Sequence, residues 1–308
     1  MKSPLPVTVI VPTKDEAKNL PGCLASLESH FFEVIVVDSE STDETPRIAA
    51  EHGVRVETFR WNGRFPKKRN WALDNLRIDT DWILFLDADE RVTGAFLEEL
   101  RRVLARGGHV GFWLSYDNWF LGQQLRYGDP MRKLALFRQD AGRYERLPEI
   151  LGGSMDMEIH EHPVLDGSVG TIRSRLQHHD RRGLHSHIAR HNEYSTWECR
   201  RYFVLEAMGG SRWTLLNRRQ RFKYRNLHRW WFADFYAVVC FIWKFGFLDG
   251  RAGWLLAKYK RRYFQDVRVK IIEGRRDGSA EELKRSCLEE PEPARSRESL
   301  EASASPGP

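Results

Sequence analysis

WILFLDADE, residues 82–90, decides the fold. Trp82 to Leu86 are apolar, and three carboxylates, Asp87, Asp89 and Glu90, crowd the positions that follow. A short apolar run of this kind is read as a strand covered on both faces, and the acids stand at its carboxyl end. Like charges so close repel one another, so a cation is expected beside them.

Three comparable runs precede it: Val7–Val11 (VTVIV), Glu33–Asp38 (EVIVVD) and Val54–Phe59 (VRVETF). Helical patterns separate them at Asn19–Ser29, Asp43–His52 and Pro66–Leu76, with Ser41 and Glu44 matching a capping box for the second. Strands alternating with helices predict a parallel sheet with right-handed crossovers, a Rossmann-like α/β domain. Such sheets bind ligands outside the carboxyl ends of their strands. PTKDE (12–16), DSESTD (38–43) and DADE (87–90) therefore converge on one rim. Any one of them reads equally as an ordinary loop or cap; three at strand ends read as a site. Magnesium or manganese takes one or two carboxylates plus substrate phosphates. The expectation is a divalent ion that relieves the crowding and a nucleotide that completes the cage.

The totals narrow the classes. The 308-residue chain is 41% hydrophobic and 30% charged, as soluble globular proteins are. A net charge of +6 and a pI near 9.2 point to an anionic partner. Cys23, Cys199, Cys240 and Cys287 form no CxxC pair, which argues against a zinc ribbon or disulfide framework and fits a reducing compartment. MKSPLPVTVIVP runs straight into a strand, so a chain that is not secreted is expected. No GxGxxG follows the first strand, which disfavours a dinucleotide oxidoreductase.

Past a helix at Gly94–Arg106 the alternation weakens. HVGFWLSY (109–116) and RKLALFR (132–138) are predicted strands, Gly142–Asp156 an irregular loop, and His185–Met208 a helix. Arg132, Lys133 and Arg138 read either as a clamp over a diphosphate or as the solvated ends of their strand. MDMEIHEHPV (155–164) supplies Asp156, Glu158 and Glu161. Seven of the eleven histidines lie between His160 and His191, which raises a zinc alternative, but without a Cys set or HExxH a dedicated zinc site is not the expected reading.

VIVPTKDEAKNLPGCLASL (9–27), VIVVDSESTDETPRIA (34–49), KKRNWALD (67–74) and WILFLDADERV (82–92), in this order, resemble the nucleotide-binding half of the inverting family 2 glycosyltransferases. Within that family they look most like enzymes that build lipopolysaccharide core or other envelope polysaccharides. The resemblance covers roughly residues 5–205 and implies a GT-A fold with a nucleotide-sugar donor, usually a UDP-sugar. It implies that Pro12, Thr13 and Glu16 line the nucleoside pocket and that Asp38 and Ser39 contact the base. Arg69 and Asn70 would stand near the nucleotide, Asp87 near the ribose or sugar, and Asp89 on Mg²⁺ or Mn²⁺. His178 or His179 would complete the metal or diphosphate site, His179 being the expected ligand. An inverting transfer needs a carboxylate that takes the acceptor's proton. Glu161 is the expected base, with Asp156 in reserve.

The carboxyl-terminal part changes character. Arg212–Arg229 holds seven basic residues and no acid, and the nineteen-residue apolar run Trp230–Leu248 follows. Asp234 and Lys244 inside that run would cost up to about 5–7 kcal/mol in a bilayer, against about 3–6 kcal/mol returned by its apolar residues. An interfacial or re-entrant helix on anionic lipid is therefore expected, the other reading being a buried helix that covers the catalytic domain. The FGFLDGRAG turn (245–253) extends the resemblance to about residue 273. No recognised nucleic-acid module accompanies the basic run, so nucleic acid is not the expected partner. The organisation predicted is a GT-A domain over 1–205, divided near residue 110 into nucleotide-sugar and acceptor halves. A basic, aromatic helical extension over 206–273 and a disordered tail over 274–308 complete it. The expected activity is transfer to a lipid-linked saccharide at the cytoplasmic side of the bacterial inner membrane. The alternative is a membrane-associated nucleotide-sugar binding protein without catalysis.

Overall fold

The computed structural model describes residues 3–145, 156, 162–209, 216 and 218–289. Its first part is β1 (Leu5–Thr13), α1 (Leu20–Leu27), β2 (Phe31–Asp38), α2 (Thr45–Glu51), β3 (Arg55–Thr58), α3 (Lys68–Asn75) and β4 (Trp82–Phe85). The four strands lie parallel in the order β3-β2-β1-β4. β1 is central, and every residue of it but Pro6 is buried, as its β-branched composition requires. β3 is only partly covered because it forms the outer edge, where Arg55 pairs with Glu57 and Glu33; charge on an edge strand discourages pairing with other chains. α2 lacks the expected capping box: Ser41 Oγ is spent on Asp38, and Asp43 Oδ1 accepts from Thr45 N at 2.9 Å instead.

Beyond β4 come β5 (Glu90–Arg91), α4 (Gly94–Arg106), β6 (Gly111–Phe120), β7 (Gln123–Leu125), β8 (Arg132–Arg138), β9 (Gly142–Tyr144), β10 (Pro163–Leu165) and β11 (Val169–His178). Thr93 Oγ1 caps α4 by accepting from Phe96 N at 3.2 Å, and Gly107 ends it with a φ of 67°. The sheet stops being parallel here. β8 runs antiparallel between β4 and β6, β11 runs parallel to β6, and β11 closes on β5 antiparallel. β8 can reverse because a hairpin, not a helical crossover, leads into it. The sheet buries two layers. Val9, Val11, Leu84, Phe96, Leu114 and Leu136 belong to one, and Ile10, Ile35, Ile83, Phe85 and Phe137 to the other.

The helical part consists of α5 (Gly183–Ala207), α6 (Arg218–Asn226), α7 (Phe232–Val238), α8 (Gly250–Arg276) and α9 (Ser279–Glu289). It borrows the second half of α5: Tyr202, Phe203 and Leu205 share a core with Phe232, Phe264, Val267 and Ile271. Residues 274–289, expected to be disordered, are helical apart from a bend at Asp277 and Gly278. Ala280 joins the core that holds Phe203, and Cys287 packs beside Val204. Trp230–Leu248 is not one helix: α7 gives way to a π-helical turn at Val239–Trp243 and a 3₁₀ turn at Gly246–Asp249. Among the described residues no helix is long and apolar enough to cross a membrane.

Glycines make this break compact. A Cβ on Gly253 would lie 1.9 Å from the Gly246 carbonyl oxygen, which belongs to rigid backbone. Gly253→Ala should therefore cost about 1–3 kcal/mol, the usual range for overpacking, and lower the melting temperature. Gly94→Ala, with nothing within 4 Å of the added methyl, should not. Paired thermal melts check this.

Candidate active site

The rim forms where the parallel strands end. β1 and β2 finish in register at Thr13 and Asp38, and Thr13 Oγ1 donates to Asp38 Oδ1 at 2.8 Å. Ser41 donates to the same carboxylate from its amide at 2.8 Å and its hydroxyl at 2.5 Å. Asp38 is thus locked in place, and the next side chain, Ser39, offers a buried hydroxyl with no hydrogen-bond partner among the described residues. Pro12 is buried opposite Val37 and forms wall. Beneath them Lys68, almost fully buried, donates to the Thr13 carbonyl at 2.7 Å and pairs with Asp156 at 3.1 Å.

At the end of β4, one oxygen from each of Asp87, Asp89 and Glu90 lies within 4.8 Å of the others. The chain's own cations already answer much of this charge. Lys133 pairs with both Asp87 and Glu90, and Arg69 Nη2 donates to Asp87 Oδ1 at 2.7 Å. The other Glu90 oxygen accepts from Asp87 N at 3.1 Å. Burial works to raise Asp87, but Lys133 and Arg69 prevail and hold it well below the usual carboxylate range. Complete burial pushes Glu90 up to about 7, against the pull of Lys133. The crowding read from the sequence is therefore relieved first by a lysine.

Asp89 differs. Its Oδ2 lies 3.5 Å from both His178 Nε2 and Arg182 Nη2, long for charge-assisted hydrogen bonds. This acid keeps capacity for a further cation. The donor set is all hard oxygen, which fits a magnesium- or manganese-class ion held by Asp89 with Asp87 and Glu90 in reach. His178 turns its ring to Asp89; His179, the expected ligand, stacks on Trp119 at 5.1 Å and gives Asp89 only its backbone amide, at 2.9 Å to the carbonyl. Neighbouring residues at a strand end point to opposite sides, so both rings could not serve one carboxylate.

Arg182 ties the outer wall together. It pairs with Glu16 and with Asp180, which also holds Arg190. Asn19 Nδ2 donates to Glu16 Oε2 at 2.9 Å and Asp180 Oδ1 at 3.2 Å, joining the first loop to the last strand. Burial raises Glu16 to about 7, more than Arg182 and Asn19 lower it.

The structure thus brings together Thr13, Glu16, Asp38, Ser39, Arg69, Asp87 and Asp89. Asn70 is committed elsewhere: its amide exchanges hydrogen bonds with the Tyr144 backbone, at 2.9 and 3.0 Å, and so fixes β9. Asp156 is engaged by Lys68, which argues against its reserve role as base. Glu161 lies outside the described residues. Lys68, Asp180 and Arg182 carried no expectation, although the unbroken charged run DRR (180–182) after two histidines was a visible signal.

Residues 8–159 match glycosyl transferase family 2. They form a family 2 glycosyltransferase domain. Over 204 residues the chain is 28% identical to the lipopolysaccharide core biosynthesis glycosyltransferase LpsC of Rhizobium meliloti (strain 1021), covering 62% of this chain and 70% of that protein. It is 37% identical over 117 residues to a TPR repeat-containing protein of Synechococcus elongatus, covering 38% of this chain and 28% of that much longer relative. Among solved structures, S. aureus TarS 1-349 in complex with UDP-GlcNAc aligns over 88% of this chain and 92% of that one, with 16% identity and a TM-score of 0.44.

Two outcomes are expected. Lys133→Met should destabilise the fold by roughly 3 kcal/mol in denaturant titration, as breaking a buried ion pair does. Mn²⁺ should then raise the variant's melting temperature more than the wild type's. The pH profile should show two limbs. Asp87 and Asp180 are held below the ordinary 3.8, so their contribution is complete above that value and lost as pH falls through their folded values. Glu16 is raised from 4.5 to about 7, so its contribution is complete below 4.5 and lost as pH rises through about 7. Glu90 is raised in the same way and adds to this limb, so Glu16→Gln should shrink the neutral limb without removing it in thermal melts across pH.

Proposed function

We propose that this protein moves a sugar from a nucleotide diphosphate donor, a UDP-sugar, onto a lipid-linked saccharide in cell-envelope polysaccharide or lipopolysaccharide synthesis. The work is done at the cytoplasmic face of the bacterial inner membrane, which the basic residues between about 212 and 270 meet. One observation carries the reading: the Ser39 hydroxyl, buried and without a partner among the described residues, the Arg69–Asp87 pair and the Asp89 carboxylate share one rim inside the family 2 domain.

The nucleoside would rest against Pro12 and Thr13, with the Ser39 hydroxyl and the held Asp38 offered to its base. Arg69 fixes the Asp87 carboxylate so that its position does not change when a ribose or sugar hydroxyl arrives. When bound at Asp89, a divalent cation would neutralise the donor diphosphate and its charge as leaving group. Arg182, held by Glu16 and Asp180, adds positive charge at the same wall. Glu161 would take the proton of the acceptor hydroxyl as that oxygen attacks the anomeric carbon, from the face opposite the departing diphosphate, so configuration inverts. A base in this role contributes about 10²–10⁴ in rate.

The test uses two variants and two readouts. Asp89→Ala should lose Mn²⁺-dependent binding of UDP in calorimetry. Glu161→Gln should keep that binding while acceptor-dependent release of UDP falls by about 10²-fold or more. Unchanged cation dependence in the first moves the metal elsewhere; retained transfer in the second moves the base.

A further inference from the structure

The break after α7 is costly by local rules. A π-helical turn interrupts the helix, and Phe245, a bulky residue, takes a left-handed φ of 58° immediately before a glycine that could take it freely. What the break displays is apolar. Val238, Ile242, Trp243, Phe245, Phe247 and Leu248 are all exposed, Trp243 by 66% and Leu248 by 56%. Trp254, also exposed, stands close by in sequence with Lys258 Nζ 3.8 Å above its ring. A patch of large side chains this exposed marks an interaction surface.

Its surroundings identify the partner. Rings run from Phe222 on α6 to Phe235 at 5.7 Å and on to Trp243 at 6.1 Å, so α6 borders the patch. α6 carries Arg218, Arg219, Arg221, Lys223 and Arg225 and no acid. Residues 218–262 hold twelve Lys or Arg against two Asp, and of these cations Lys223, Lys244, Lys260 and Arg262 pair with Glu198, Asp129 and Asp266 outside the range. Both aspartates within it are spent: Asp234 pairs with Arg261, and Asp249 is buried. An apolar tip with Trp and Phe inside a basic border matches the headgroup layer of an anionic bilayer, where rings enter the interface and cations meet lipid phosphates.

We propose that residues 238–248, with Trp254, form a wedge that inserts into the interface of an anionic membrane. The wedge is fixed to the catalytic domain. Asp249 accepts from the backbone amides of Arg126 and Tyr127 at 3.0 and 2.9 Å, and Asp129 holds Lys244 and Lys260 at 3.1 and 2.9 Å. The proposal rests on the membrane contact put forward above and adds which residues enter the lipid, replacing a helix lying flat by a rigid tip.

Flotation with vesicles of phosphatidylglycerol and phosphatidylethanolamine, and with phosphatidylcholine alone, tests it. Full-length wild type should float with the anionic vesicles and keep part of that binding in high salt. Trp243→Ser combined with Phe245→Ser should bind about tenfold more weakly and lose the salt-resistant part. Val238→Ser with Leu248→Ser should do the same should the first pair not fold. Variants that float like wild type overturn the wedge while leaving a purely electrostatic contact standing. Wild type that binds neither vesicle overturns the wedge and the membrane contact together. Loss of a wild-type dimer in the variants, with vesicle binding unchanged, assigns the patch to a second copy of the chain and also overturns the wedge.

Discussion

Lys133 between Asp87 and Glu90 is the contact on which the site depends. Three carboxylates cannot be packed at the end of a buried strand without positive charge at close range. The chain supplies it by strand register. β8 runs antiparallel to β4 with Leu136 opposite Leu84; continuing that pairing sets Lys133 opposite Asp87. The reversal of β8, which breaks the parallel pattern, is thus what places a permanent cation in the cluster. It also divides the three acids. Asp87 and Glu90 are held by Lys133 and Arg69, and Asp89 is the more loosely partnered acid, 3.5 Å from both His178 and Arg182.

The same logic explains why legibility stops where it does. The parallel half announced itself because each of its strands is a local pattern: VTVIV and WILFLD are covered on both faces and must be apolar throughout. α4 lies about where its pattern predicted it, and the structure shows local signals at both its ends, the Thr93 cap and Gly107. Lys133 was ambiguous between a clamp and a solvated strand end because only the register with β4 decides, and register is a long-range fact. Asn70 stood beside Arg69 in a suggestive motif, yet on α3 the two side chains leave in different directions, one to Asp87 and the other to the Tyr144 backbone. His178 and His179 pose the same problem at a strand end. Residues 274–289 failed for another reason. Their charge resembles that of a disordered segment, and the few apolar side chains that hold them, Ala280 and Cys287, act only because Phe203 and Val204 wait on α5.

Closure of the rim needs both ends of the domain. Glu16 and Asn19 come from the loop after β1, whereas Asp180 and Arg182 follow β11, more than 160 positions later. β11 reaches them because it pairs with the two-residue strand β5, which begins at Glu90 itself. The acid cluster is therefore also a topological junction. A change that loosens Arg182 releases the Glu16 wall and the β11 end at once, and with it the His178 ring beside Asp89. Charge and topology are not separable at this point.

That junction also gives the carboxyl-terminal helices a physical link to the chemistry. Asp249 grips the backbone at Arg126 and Tyr127, just past β7, and β7 is hydrogen-bonded to the end of β6. On that end Trp119 stacks on His179, whose amide holds the Asp89 carbonyl. Most links in this series are hydrogen bonds to backbone, and the Trp119–His179 stack, between two half-buried rings, completes the connection from the tip beyond α7 to Asp89. On the reading proposed above, with an acceptor that hangs from lipid, the enzyme would have to hold its reacting carboxylates at a fixed height above the bilayer. A flexible basic tail would give adhesion without that registry. The glycine contact between Gly246 and Gly253, the buried Asp249 and the doubly paired Asp129 tie the tip to the domain, and on the proposed reading that tie would convert membrane contact into placement of the acceptor.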